Sequence, residues 1–145
     1  MTVMTIALAS DHAGYQFKAE LKAFLESRGY ETLDLGTDGP ESVDYPDFAD
    51  AMARAIVGGA AQRGVLICGT GIGISIAANR HKGVRAALCT EPTSARLARE
   101  HNDANVLALG ARVIGPEIAK DCLTAFLTTA FEGGERHSRR VGKLG

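Results

Sequence analysis

Five short runs rich in β-branched or apolar residues, Thr5–Ala9, Glu31–Leu35, Gly64–Ile67, Val84–Leu88 and Val106–Leu109, alternate with longer segments of helical period. This alternation is the pattern that most narrows the fold. Strands separated by helix-length crossovers pair in parallel, and the crossovers cover the faces of the sheet they build. In the first crossover Phe17, Leu21, Phe24 and Leu25 form one apolar stripe among Lys18, Glu20, Lys22 and Glu26, and Gly29 suits the helix C-terminus. Further helices are expected from about Pro46 to Val57, Ile72 to Asn79, Pro92 to Glu100 and Pro116 to Phe131, three of them opening on proline. The expectation is an α/β domain of five strands and five helices.

Two segments stand apart from the alternation. TDGPESVDYPDFA, Thr37 to Ala49, reads as one long loop dense in turn formers and acids, and loops of that length in compact domains are usually functional or disordered. The tail FEGGERHSRRVGKLG breaks the last helix with two glycines and then gathers Arg136, Arg139, Arg140 and Lys143, a stretch expected either to fray or to dock elsewhere.

A chain of 145 residues suits a single domain, 1–145, whose core needs neither disulfide nor metal. A net charge of −1 gives no general attraction for nucleic acid or anionic membrane, so any anion must be caught by a local cluster. Cys68, Cys89 and Cys122 are odd in number and widely spaced, which indicates neither a disulfide framework nor a zinc site and points to the reducing cytoplasm. MTVMTIALASDH is unlike a signal peptide, and no apolar stretch is long enough to span a bilayer.

Chemistry concentrates in ICGTGIGISIAAN, Ile67 to Asn79, where a strand runs into alternating Gly69, Gly71 and Gly73 and then into a helix of small residues. Such a turn lets backbone N–H groups approach an anion, although a tight turn without a ligand would look the same. No Gly-Lys-Ser/Thr follows, and Ile74 stands where the third glycine of GxGxxG belongs, so neither nucleotide fingerprint is met. Cys68, just before the glycines, is placed where loop and helix dipoles favour a thiolate, against the alternative of an inert buried cysteine. Cys122 lies on an apolar stripe and reads as core. Asp11 and His12 fall at the carboxyl end of the first strand, where open α/β sheets bind ligands; helix capping accounts for Asp11 equally well but not for His12. His101 and Asn102 end a helix just before the fifth strand, where a histidine can simply complement the helix dipole, and Arg112 follows that strand. The tail arginines are either a solvated surface or the cluster a phosphate needs.

Taken in order, SDHAG, DYP, ICGTGIGISIAANR, EPTSARLAREHNDANVLALGAR and FEGGERHSRR resemble the B-type ribose-5-phosphate isomerases, a family that includes allose-6-phosphate and galactose-6-phosphate isomerases, from about Ile6 to Arg140. The resemblance implies a Rossmann-like three-layer α/β/α sandwich with a five-stranded parallel sheet. It also implies homodimers, sometimes paired into tetramers, whose active sites are shared between subunits, with residues 132–145 reaching the neighbour. It makes Cys68 the base that moves a proton between C2 and C1, and His101 the acid that opens the sugar ring. Thr70 relays protons, and the backbone of Gly69, Thr70, Gly71, Ile72 and Gly73 stabilises an enediolate. Asp11, His12 and Asn102 contact the sugar; Arg112, Arg136 and Arg140 hold the phosphate, with His137 and Tyr45 nearby and Arg139 as a possible substitute for Arg140. A branch of the family that replaces the cysteine carries glutamate just after the third glycine. Here that residue is Ile74, which places the chain in the cysteine branch.

Aldose–ketose isomerisation needs a base beside two adjacent carbons, donors for the developing oxyanion, a ring-opening acid and a phosphate anchor. Each has a candidate, and the reaction requires no cofactor and no metal. The expected activity is interconversion of D-ribose 5-phosphate and D-ribulose 5-phosphate in the pentose phosphate pathway. The alternatives are isomerisation of allose 6-phosphate, galactose 6-phosphate or a tetrose phosphate, a non-catalytic sugar-phosphate sensor, and a nucleotide-dependent oxidoreductase using the glycine loop. No nucleic-acid or membrane partner is expected.

Overall fold

The computed structural model describes residues 4–145. Five parallel strands, β1 (Thr5–Ser10), β2 (Glu31–Asp34), β3 (Arg63–Cys68), β4 (Ala86–Leu88) and β5 (Val106–Gly110), form one sheet in the order β2-β1-β3-β5-β4. The three inner strands read as nearly unbroken apolar runs because both of their faces are covered; edge strands β2 and β4 keep partly exposed residues.

Six helices complete the fold: α1 (Tyr15–Ser27), α2 (Tyr45–Val57), α3 (Ile72–Asn79), α4 (Pro92–Asn102), α5 (Pro116–Thr128) and α6 (Gly134–Gly142). Residues of α1, α4 and α5 meet Ile6, Leu8, Ile67, Leu107 and Leu109 in one core. Residues of α2 and α3 meet Ala7, Ala9, Leu66, Val106 and Ala108 in the other. The period of two along each strand thus divides the chain into three layers, the expected α/β/α sandwich.

Two expectations are corrected. The long loop ends at Asp44 rather than Ala49, because Pro46 sits at the first helical positions of α2 and presets them. The tail is not irregular: Gly133 and Gly134, both with positive φ, turn the chain after α5, and residues 134–142 form α6 against α4. The sixth helix escaped notice because it buries no residue and so lacks a core-facing apolar stripe.

One ion pair fastens the first crossover. Lys18 of α1, only 3% exposed in its side chain, donates to Asp34 Oδ1 at 2.5 Å, and the Gly36 N–H donates to the same oxygen at 2.9 Å. Burial alone would raise the Asp34 carboxyl, but the hydrogen bonds from Lys18 and Gly36 and the charges of Lys18 and Lys22 hold it below the ordinary carboxylate range. A carboxyl lowered by folding contributes stability above its unfolded pKa, near 4, and loses it as pH falls through the folded value. Asp34→Asn is therefore expected to lower unfolding free energy at pH 7 by on the order of 3 kcal/mol, by leaving a buried ammonium without its counter-charge. The difference from wild type should shrink below pH 3. Urea melts at the two pH values measure both effects.

Candidate active site

Strand order reverses beside β1: the chain leaves β1 toward α1 on one face of the sheet, and leaves its neighbour β3 toward α3 on the other. The carboxyl ends of the two strands therefore border a crevice. Asp11 closes one side, its N–H donating to the Ile67 carbonyl at 3.2 Å while its Oδ1 accepts from the N–H groups of Ala13 and Gly14. Asp11 thus has a capping role, but on the 3-10 turn His12–Gly14 that leads into α1 rather than on α1 itself. Nδ1 of His12 accepts from the Val43 N–H at 3.1 Å, which ties the long loop to the strand end and leaves Nε2 as the ring nitrogen that can donate outward. An open cleft of about 510 Å³ lies between Asp11, His12 and the segment from Val43 to Asp47. Its volume suits a small metabolite.

The glycine turn forms the other side. Gly71 has φ 78°, and a Cβ there would lie 2.6 Å from Leu88 Cδ1 and 2.9 Å from the Leu109 carbonyl carbon, so neither its conformation nor its surroundings admit a side chain. Gly73 is excluded differently: its Cβ would meet the Tyr45 ring at 2.6–2.8 Å, which means that the ring lies directly on the loop. The 4%-exposed Cys68 accepts from the Gly71 N–H at Sγ, 3.1 Å away, and Thr70 Oγ1 accepts from the Ile72 N–H at 3.1 Å. Two loop donors are thus engaged by the chain itself rather than open to an anion. Arg112 donates its N–H to the Gly69 carbonyl at 2.9 Å and lays its guanidinium across Gly69. Burial pushes the other thiols up, Cys89 to about 12 and Cys122 to about 11, so both stay protonated at neutral pH. Cys89 follows β4 at the same edge and Cys122 lies within α5, so of the three cysteines only Cys68 runs directly into the glycine turn.

The remaining candidates lie elsewhere. The eleven residues of α4 run antiparallel to the strands and carry His101 and Asn102 roughly 16 Å back toward the amino ends of the sheet. Asn102 there borders a separate cleft of about 330 Å³ with Asn79, Arg85 and Leu144. The His101 ring stacks on His137 of α6 with centroids 4.8 Å apart and planes at 7°. On α6, Arg136 and Arg140 are one helical turn apart and share a face, while Arg139 lies 4.0 Å from Glu135. Within one chain, the predicted residues therefore form two groups at opposite ends of the sheet.

A buried guanidinium, unremarked in the sequence, organises the second group. Arg99, 3% exposed, donates from Nη1 to Asp103 Oδ1 and the Ala104 carbonyl, both at 2.7 Å, and from Nε to the Thr129 carbonyl at 3.1 Å. The Glu132 N–H also donates to the Glu100 carbonyl at 3.0 Å. The end of α4 and the segment leading into α6 are thereby joined. Nothing in the local sequence distinguishes Arg99 from a solvated helix arginine.

The carboxyl edge of this open parallel sheet, with a thiol, an imidazole and a guanidinium around its switch point, is where α/β proteins of this topology bind their ligands. Residues 6–144 match the family described as Ribose/Galactose Isomerase, and the chain belongs to that family; it is an isomerase. It is 52% identical over 136 residues to ribose-5-phosphate isomerase B of Escherichia coli, covering 94% of this chain and 91% of the relative. It is 44% identical over 144 residues to D-erythrulose-4-phosphate isomerase of Pectobacterium atrosepticum, covering 99% and 94%. Among solved structures, ribose-5-phosphate isomerase B of Clostridium thermocellum superposes with a TM-score of 0.96 at 56% identity, covering 98% of this chain and 95% of that one.

Proposed function

We propose that this chain interconverts D-ribose 5-phosphate and D-ribulose 5-phosphate in the cytoplasm through an enediolate, in active sites completed by a second copy of the chain. The observation that carries the reading is the division of the candidate residues between the two ends of the sheet. Cys68 at the carboxyl end and His101 at the amino end cannot reach one five-carbon substrate within a chain. A two-fold dimer that sets one chain's amino end over the other's carboxyl end would unite them and would form two equal sites. Exposed apolar residues beside the glycine turn, Ile72 at 52% and Ile76 at 61%, supply a surface for that contact.

In such a site Cys68 exchanges the proton between C2 and C1, and Thr70 relays protons between the sugar oxygens. Loop N–H groups steady the enediolate; those of Gly71 and Ile72 must first exchange their present acceptors for the substrate oxygen. Asp11 and His12 orient the sugar, and Tyr45 borders it. The partner contributes His101 as ring-opening acid, Asn102 as a sugar contact, and Arg136, His137 and Arg140 toward the phosphate, which Arg112 meets from the first chain. Since Arg139 has Glu135 for company, Arg136 and Arg140 are the better pair.

A spectrophotometric panel of ribose 5-phosphate, allose 6-phosphate, galactose 6-phosphate and erythrose 4-phosphate with purified protein tests the substrate. The highest kcat/KM is expected for ribose 5-phosphate; a tenfold preference for another sugar would overturn the choice. Gly73→Ala should swing the partly exposed Tyr45 ring off the loop, leaving Tm within a few degrees of wild type but raising KM. The same KM in Tyr45→Ala and in the double variant would show that the added methyl acts only through the ring.

A further inference from the structure

The second group contains a carboxylate, Glu132, that the isomerisation does not explain and that stands beside two imidazoles. His101 ends α4, Glu132 lies in the segment between α5 and α6, and His137 lies on α6, and one donor atom from each falls within 4.8 Å of the others. His137 Nε2 is 4.0 Å from Glu132 Oε1, and the His137 side chain is only 12% exposed. Three separate stretches of chain thus converge two imidazoles and a carboxylate on one small volume, and the Arg99 and Glu100 contacts hold their backbones together.

We propose that His101, Glu132 and His137 form a site for a divalent transition-metal ion of the zinc type, and that filling it inhibits the enzyme by occupying the imidazole of His101. Two imidazoles and a carboxylate suit zinc, cobalt or nickel, whereas magnesium and calcium favour all-oxygen sets. A tetrahedral zinc ion with ligands about 2.1 Å away requires donor spacings of roughly 3.4 Å. The three groups, within 4.8 Å of one another, must therefore close by up to about 1.4 Å. The imidazole stack has to open as they do, because the in-plane lone pairs of parallel rings do not converge on one ion. Glu132, 58% exposed, has the freedom to follow. Three protein ligands leave a fourth position to water, so the ion exchanges with solvent. It also pins α6 to α4. Inhibition follows because an imidazole nitrogen bound to metal cannot deliver a proton. That consequence rests on the role proposed for His101, whereas ion binding does not.

The experiment titrates chelator-treated protein with zinc alone by calorimetry and follows turnover and thermal melting in parallel, with magnesium as control. Glu132→Gln is the diagnostic variant, since Glu132 has no part in the proposed reaction. We expect one zinc ion per chain at this site, a zinc-dependent rise in Tm, and no response to magnesium. Glu132→Gln should keep wild-type turnover without metal while its zinc inhibition constant rises about tenfold or more. Equal zinc binding and inhibition in wild type and Glu132→Gln would overturn the site and move the ion to another group, Cys68 foremost. Binding that depends on Glu132 but leaves turnover unchanged would overturn the inhibitory role and count against His101 in the reaction. Absence of binding in a protein that isomerises sugar phosphates normally would overturn the site and leave the proposed function standing.

Discussion

Cys68→Ala is expected to lower kcat by about 10² to 10⁴, the usual contribution of a positioned general base, while the variant still binds a sugar-phosphate analogue. The fold should survive. Sγ accepts one hydrogen bond, from the Gly71 N–H, and the loop's course is also set by Gly71 against Leu88 and Leu109 and by Arg112 against Gly69. Calorimetric titration with the analogue and a progress curve separate binding from turnover. Turnover within a few-fold of wild type would remove Cys68 from the base's role. Cys89→Ala and Cys122→Ala serve as controls, because neither thiol adjoins the glycine turn and burial keeps both protonated.

Replacing Arg136 and Arg140 together by alanine should lower kcat/KM by roughly 10² to 10⁴, as expected from losing two charge-assisted contacts of about 1.5–3 kcal/mol each. The folded core should be unaffected, since α6 buries no residue. The stronger result comes from mixing this variant with Cys68→Ala under conditions where subunits exchange. If the tail serves the neighbour's site, each mixed dimer has one site with both defects and one with neither. Random exchange of equal amounts then restores about a quarter of all sites. If each chain completes its own site, mixing restores nothing. Silence despite demonstrated exchange would return the arginines to their own chain's surface.

The sequence disclosed most where one periodicity met one physical demand. Runs such as GVLIC and VLALG could only be inner parallel strands, and proline marked the starts of α2, α4 and α5. The carboxyl-edge group was legible for the same reason: residues that directly follow strands of one parallel sheet must share an edge. By contrast, α6 carries no buried stripe, and its contact with α4 includes the stacking of His101 and His137, residues 36 positions apart with no local signal between them. The links from Val43 to His12 and from Arg99 to Thr129 use main-chain groups at one end, which a one-letter code does not display. That His101 and Cys68 occupy opposite ends was implicit in helix direction. It became consequential only when strand order fixed which ends were which.

Arg99 gives this separation a kinetic meaning. Because one buried cation binds the end of α4 to the approach of α6, His101 and the arginines proposed to hold the phosphate are carried by a single bracket. On the proposed reading, half of the catalytic apparatus is then assembled before any encounter with substrate, and the conformational entropy of organising it is lost during folding rather than at each turnover. In the proposed dimer, a neighbour receiving that bracket would gain acid and anchor already in register. Activity should accordingly appear in step with association of the chains, without a slower phase in which the tail searches for its place.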